Sequence, residues 1–425
     1  MTSFSSGTLT FNFNAANEAV TLSNNGTNIS LTSSGTITGA GNTFSTASVT
    51  KIIITDTGNL AGQSLLLSGN TGFSLSGGLD CTGVESVAFT NSVTATGSSA
   101  IVVVAPQKIR VSGVTLTGGS DGTELTAQGT VPGNSIGIDI NNGAVVTASG
   151  IGQVSVKGTG GVSTSDNNWG VLVEGTNSKI TSSGGPVQVN GTGGGTGVSK
   201  FNQGVYLIDG GKILAGATGT VMVQGKGGAS DGMTNIGVYV ADGNITSSGG
   251  DVTITGTGGG SGASAFNYGV YVSNDGEISA VGTGKVTIEG YGGKTTGNAN
   301  YGVFVVQNSG SLGRITSSDG DMSIKGFGGG KDDSRSNRGV YVWAGGSITT
   351  TGTGSVLVEG QGGNTTGDSN QGVRVDGKNP STAVGSLIGS SGGGNVVVRG
   401  TGAGSGASFN NYGMYVVNSA KISAG

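Results

Sequence analysis

The chain has 425 residues, of which 91 are Gly and only 4 Pro, and 10% are charged, with a net charge of −4. Gly does not recur at every third position, which excludes collagen, and the returning Val and Ile runs exclude simple disorder. The 19 basic and 23 acidic residues are interspersed, so no basic stripe exists to neutralise a nucleic-acid backbone, and nucleic acid is not an expected partner.

A single cysteine, Cys81, and the absence of His leave no intrachain disulfide, no thiolate cage and no usual zinc or copper site. No metal and no cofactor are therefore expected. The N-terminal segment, MTSFSSGTLTFNF, has no basic stretch followed by an apolar run and is not read as a secretory signal. No window is long and apolar enough to span a bilayer, so direct membrane insertion is not expected. Up to residue 136, the strand-like runs TLTFNF, KIIIT, SLLLSG, VESVAF and AIVVVA stand between Gly, Ser and Asn turns. They read as divergent rungs of the architecture that follows, or as a cap that shields its edge from aggregation. A separate small β domain fits the same pattern.

From residue 137 to 425 a G-[VIM]-x-[VIL] element recurs at Gly137, Gly170, Gly204, Gly237, Gly269, Gly302, Gly339, Gly372 and Gly413, mostly 32 to 34 residues apart. A second apolar step follows in each unit (Ile180, Ile213, Ile245, Ile278, Ile315, Ile348, Ile388, Ile422). A third, such as VQVNG, VTITG or VVVRG, comes after it. Three short strands per unit of about 33 residues, joined by Gly-rich turns and loops, predict an all-β fold, a parallel β-helix or β-solenoid. Side chains alternate across a strand, so Val205 and Leu207, or Val238 and Val240, face a core that no unit can bury alone. Two kinds of glycine-rich loop alternate, GTGGGTGVS and GTGGGSGAS against GKGGASDGM and GYGGKTTGN, so the true period is two rungs. Gly is expected to supply the positive φ angles of these turns. The sequence stops at KISAG, partway through a repeat, and is expected to be a piece of a longer protein.

Three columns of outward or corner residues are candidates for function. Asn stands two residues before the repeat glycine in eight of nine units: Asn168, Asn202, Asn235, Asn267, Asn300, Asn337, Asn370 and Asn411. Stacked Asn side chains are expected to bond along the axis and hold a corner; ion binding is the alternative, but the repeat offers no carboxylates for Ca²⁺. The second residue after the glycine is aromatic in six units: Tyr206, Tyr239, Tyr271, Phe304, Tyr341 and Tyr415, with Asp139, Leu172 and Arg374 as breaks. This row is expected to stiffen the sheet or pack under the loops, and it is also the candidate contact strip for sugar rings or another fibre, reinforced by Trp169 and Trp343. At the end of the third strand Glu289, Lys325, Glu359 and Arg399 alternate in sign, which avoids like-charge repulsion between rungs.

Some β-helices cleave polysaccharides, a chemistry that needs paired carboxylates on one face. The only adjacent acids in the repeats, Asp332 and Asp333, lie in GGGKDDSRSNRG, which reads as a solvated insertion together with Lys331, Arg335 and Arg338. The Gly-x-Gly strings precede no helix that would present its N-terminus to a phosphate. No catalytic residues are expected, and an enzyme is the minor alternative.

The order G-V-Y-V, I-T-S-S-G-G, V-x-I-x-G-x-G-G-G over residues 137–425 resembles the repeat arrays of very large bacterial surface proteins. These are filamentous-haemagglutinin-like and autotransporter-passenger β-solenoids and the "β-strand repeat" proteins of cyanobacteria and planctomycetes. The resemblance covers about two thirds of the chain. It implies an exported, extracellular structural or adhesive segment of a cell-surface protein, with glycans, cell-surface components or other copies of itself as partners. A self-assembling head-to-tail filament subunit is the alternative within the same fold.

Overall fold

The computed structural model describes residues 1–58, 61–129, 136–308, 311–377 and 385–425. Its 42 strands, with one three-residue 3-10 turn at Thr46–Ser48, form three long sheets. The first strand of each repeat (Val205–Ile208) belongs to sheet 1, the second (Lys212–Ala215) to sheet 2 and the third (Val221–Lys226) to sheet 3. The sheets hold 16, 12 and 14 strands. Successive rungs pair parallel and in register, so that Val205, Val238, Val270, Val303, Val340, Val373 and Met414 stand one above another. The chain is a parallel β-solenoid, as its repeat predicts.

The described residues before Gly137 continue the same sheets. Thr8–Asn12, Lys51–Thr55, Gly78–Thr82, Ile101–Ala105 and Thr123–Ala127 form one parallel stack in sheet 3 that passes directly into Val154–Thr159. These rungs are shorter: their sheet 1 strands start at Ser64, Ser86 and Lys108, 22 residues apart. The difference is the turn from sheet 3 back to sheet 1, which is a few residues long here and a glycine-rich excursion in the later repeats. At the N-terminal edges the parallel pattern stops. Thr2–Ser5 folds back antiparallel on Thr8–Asn12, and Asn28–Ser33 folds antiparallel on Ala19–Asn24.

One continuous core runs from Leu9 to Ile388. The alternation read from the sequence is the one observed: Val205, Leu207, Ile213, Val223, Val238 and Val240 are all at 0% exposure. Burying such a side chain stabilises by roughly 1.5–3 kcal/mol, and each is buried by the rungs above and below it. The N-terminal core is filled by larger residues, including Phe11, Phe13, Phe73 and Phe89.

In the long rungs the corner between sheet 3 and sheet 1 is closed by glycine pairs. The glycine inside the third strand, Gly256 for example, faces the repeat glycine Gly269, and a Cβ on Gly256 would overlap the Gly269 carbonyl. Neither residue has a positive φ. Their smallness, not their conformational freedom, lets the end of sheet 3 touch the start of sheet 1. This corrects part of the sequence expectation: positive-φ loop glycines belong to one of the two loop kinds, as at Gly195 and Gly260, and the other kind has none. Gly256→Ala is therefore expected to destabilise its rung by about 1–3 kcal/mol, seen as faster amide hydrogen exchange at Val252–Thr257 and Val270–Ser273 with distant rungs unchanged. Uniform protection across the chain would show that the contact is dispensable.

Candidate functional site

The asparagine column forms a hydrogen-bonded ladder at the corner where the excursion re-enters sheet 1. Asn168 through Asn370 are at 0% exposure, and Asn411 on the last rung is half-buried. From Asn168 to Asn337 each Nδ2 donates to the Oδ1 of the next Asn, at 2.8 Å (Asn168 to Asn202), 2.9 Å (Asn202 to Asn235), 3.0 Å (Asn267 to Asn300) and 3.0 Å (Asn337 to Asn370). The links Asn235 to Asn267 and Asn300 to Asn337 are 3.3 Å each. The backbone N–H of Asn235 donates to the Asn267 Oδ1 as well, at 3.1 Å, and that of Asn370 to the Asn411 Oδ1 at 2.9 Å. All the amides point one way along the axis, an arrangement in which each bond polarises the next.

A hydroxyl column beside the ladder escaped the sequence reading. Ser264 Oγ donates to Asn267 Oδ1 at 3.0 Å, and Ser334 Oγ to Asn337 Oδ1 at 3.1 Å, each from three residues upstream. Ser230 bonds Asn235 (3.1 Å), Thr295 bonds Asn300 (3.3 Å) and Thr365 bonds Asn370 (2.9 Å), each from five residues upstream. The three-then-five alternation is what the two loop kinds accomplish. Different backbone routes bring a hydroxyl to the same point on the rungs from Asn202 to Asn411.

The ladder also holds a strained backbone. The residue before each Asn is left-handed whatever its type, including Phe201 (φ 58°), Thr234 (φ 68°), Phe266 (φ 60°) and Ala299 (φ 59°). Such a conformation costs about 1–2 kcal/mol for a residue with a Cβ, which two or more bonds per Asn at about 1 kcal/mol each offset. Asn267→Ala is expected to destabilise the rung by about 1–3 kcal/mol for each orphaned buried partner, read as lost protection of the Asn235 amide. Asn267→Asp replaces the donor to Asn300 by an acceptor, so a buried carboxyl there is disfavoured when charged and its folded pKa rises. Its stability is then present below the unfolded carboxyl pKa of ~4 and is lost as the pH rises through the folded value. Denaturation at two pH values checks this, and equal stability at both would overturn it.

The aromatic row lies beside the ladder and is two columns deep. Tyr206, Tyr239, Tyr271, Phe304 and Tyr341 stack rung on rung, with ring centroids 4.6 to 5.1 Å apart and planes within 15°. A second column comes from the residue immediately before the repeat glycine. Tyr268 and Tyr301 stack at 4.9 Å, and both meet Phe304 edge to face at 5.4 and 5.2 Å. Trp169 meets Tyr206 at 5.3 Å, and Trp343 lies over Tyr341 at 6.0 Å. Phe304 (5%) and Tyr341 (7%) are buried, Tyr206, Tyr239, Tyr271 and Tyr415 half-buried. Most of the strip's area is thus spent on itself.

Arg374 does not break this row. Its guanidinium lies 5.4 Å from the Tyr341 ring centroid and 5.3 Å from that of Tyr415, and Nη2 is 2.6 Å from Asp376 Oδ2. A planar cation stacks where another ring would. Arg338 likewise leaves the solvated loop in which the sequence placed it. It is 7% exposed, stacks on Tyr341 at 4.5 Å, donates to the Tyr301 hydroxyl at 2.7 Å and donates to Gln371 Oε1 at 2.8 Å. Its neighbours Lys331 and Asp332 remain exposed, 3.9 Å apart.

Burial pushes the phenols of Tyr206, Tyr239, Tyr268, Tyr271, Tyr301 and Tyr341 above the usual tyrosine range, with Arg338 opposing the rise at Tyr268, Tyr301 and Tyr341. Folded pKa values above the unfolded one mean that the unfolded chain sheds its protons first. The stability these phenols contribute is fully present below pH ~10 and is lost as the pH rises through the folded values. Alkaline titration should show phenolate absorbance appearing together with loss of structure, and Tyr271→Phe should soften that transition. Full ionisation with the fold intact would refute the effect.

Elsewhere the charge row sits as an exposed ladder: Glu359 lies 3.0 Å from Arg399 and 3.5 Å from Lys325. The Arg399 guanidinium, then Lys325, holds the Glu359 carboxyl below its ordinary range. Asp139 faces Arg110 at 3.4 Å. Cys81 is fully buried and its thiol is pushed far up by burial, which makes it unreactive. Among the described residues no group of three or more Cys, Asp or Glu is placed to hold a metal ion, and no helix is long and apolar enough to cross a membrane. Comparison with protein-family models, curated proteins and solved structures finds no match for this chain.

Proposed function

We propose that this chain is an extracellular structural and adhesive segment of a large bacterial cell-surface repeat protein. The observation that carries this reading is the uninterrupted in-register stacking of all three sheets, thirteen parallel strands in sheet 1 alone, which amounts to a rod of roughly 60 Å at ~4.8 Å per rung. Such a rod keeps a fixed length and presents its outer faces at regular intervals. The likeness of the repeats to bacterial surface solenoids supports the same setting.

A head-to-tail filament subunit is the second reading. It draws on the parallel register that all three sheets keep from rung to rung, a pattern that a rung of another copy could continue. The antiparallel strands over the N-terminal edges of sheets 1 and 3 weigh against it, because a parallel rung has no matching edge there. Antibody raised against residues 137–425 should label intact cells of the source organism, and labelling only after permeabilisation would overturn the surface assignment. Electron microscopy of the purified chain should show uniform short rods; long filaments would favour the second reading.

A further inference from the structure

We propose that the outer face of sheet 3, from Asn190 to Tyr291, binds an extended, uncharged β-linked glycan laid along the solenoid axis. A groove of about 310 Å³ runs across three rungs there, lined by Asn190, Thr192, Gln224, Lys226, Thr255 and Thr257. That volume lies at the small end of ligand sites. None of these six side chains makes a hydrogen bond or ion pair within the protein. On sheet 2, by contrast, outward groups bond each other: Ser279 donates to Thr246 at 3.0 Å, and Thr316 to Glu277 at 3.0 Å. The polar groups of the sheet 3 groove are unspent.

One rung beyond Thr257, and in register with it, stands Tyr291, 36% exposed. Its ring stacks on Phe327 at 4.9 Å and 9°. Phe327 covers one face, while the neighbour on the other side is only a threonine. This aromatic pair lies on a different sheet from the row that the sequence singled out, and more of it is open.

The chemistry of the face selects the ligand. A side-chain amide presents a donor and an acceptor in one plane, which matches the adjacent hydroxyls of a pyranose, and an aromatic face accepts the apolar C–H side of the same ring. Four successive rungs ~4.8 Å apart carry the Asn190 amide, the Gln224 amide, the Thr255 and Thr257 hydroxyls side by side and, in the Thr257 column, the Tyr291 ring, a spacing close to the length that one sugar adds to an extended chain. Of the charges around the groove, Lys325 is taken up by Glu359 at 3.5 Å and Glu289 offsets one of Lys157 and Lys226, which leaves a single net positive charge, too little to hold a polyanion. The backbone here is already paired on both sides within sheet 3, so a peptide has no edge to extend.

The proposal borrows only its biological setting from the adhesive reading above, since binding in solution and location on the cell are measured separately. The test is calorimetric titration of the full chain with cellohexaose and with chitohexaose, against the curved maltohexaose. Saturable binding of at least one extended oligosaccharide is expected. The double variant Asn190→Leu/Gln224→Leu, and separately Tyr291→Ala, should each weaken it about tenfold or more. Phe201→Ala, on a different face, should leave it unchanged, and all variants should melt as the parent does. The proposal is overturned if neither extended ligand binds, if binding survives both sets of substitutions, or if maltohexaose binds as tightly.

Discussion

The three strands of each repeat pair in parallel register with the same segments of the next rung, so each side chain sits ~4.8 Å from its own counterparts above and below. A residue type is therefore tolerated only if it can live beside itself. Aliphatic side chains can, because dispersion contacts do not distinguish partners. Asparagine can, because one amide is donor and acceptor at once, and Asn202, Asn235 and Asn267 chain together on that property. Aromatic rings can by offset stacking. Like charges cannot, and where charge occurs it alternates, as in Lys325, Glu359 and Arg399. The composition of the chain, rich in Gly, Val, Thr and Asn and poor in charge, follows from this one constraint.

The same constraint separates surfaces that are consumed by the fold from surfaces left over. The aromatic face of sheet 1 satisfies itself: the rings of Tyr271, Phe304 and Tyr341 cover each other, Tyr268 and Tyr301 cover their flank, and Arg338 and Arg374 stack in where no ring stands. What it contributes is stiffness along the axis and locked register. On sheet 3 the outward columns change identity from rung to rung, through Thr192, Lys226, Thr257, Tyr291 and Phe327. Side chains that differ from their neighbours leave donors and faces unused, and such a surface is available to a ligand.

The N-terminal rungs show the fold without its excursion. With 22-residue rungs and a tight third turn there is no corner for an amide ladder, and Ala105 and Ala127 stand in the column that Gly158 and the later third-strand glycines continue. Lengthening the rung thus required two compensations together. Glycines such as Gly256 and Gly269 let the sheets touch, and the Asn and Ser/Thr columns hold the re-entrant loop in its left-handed geometry.

The periodic features were legible in the sequence by itself. The rung length, the three strands, the inward aliphatic pairs and the Asn column all repeat at a fixed interval, and a parallel stack turns interval directly into contact. The two-rung alternation could be seen too, but not its meaning, because Ser264 and Thr295 stand at different distances along the chain from the asparagines they bond. Only the folded structure equates them. Arg374 looked like an interruption and Arg338 like part of a solvated loop because a linear reading compares residue types, whereas packing compares shapes, and a guanidinium has the shape of a ring. The burial of the Tyr341 row and the openness of Tyr291 were likewise settled by neighbours from other columns. Register fixes what lies above and below a residue, and that is written in the repeat; what lies beside it depends on how three sheets and their loops meet at the corners, and that is decided in three dimensions.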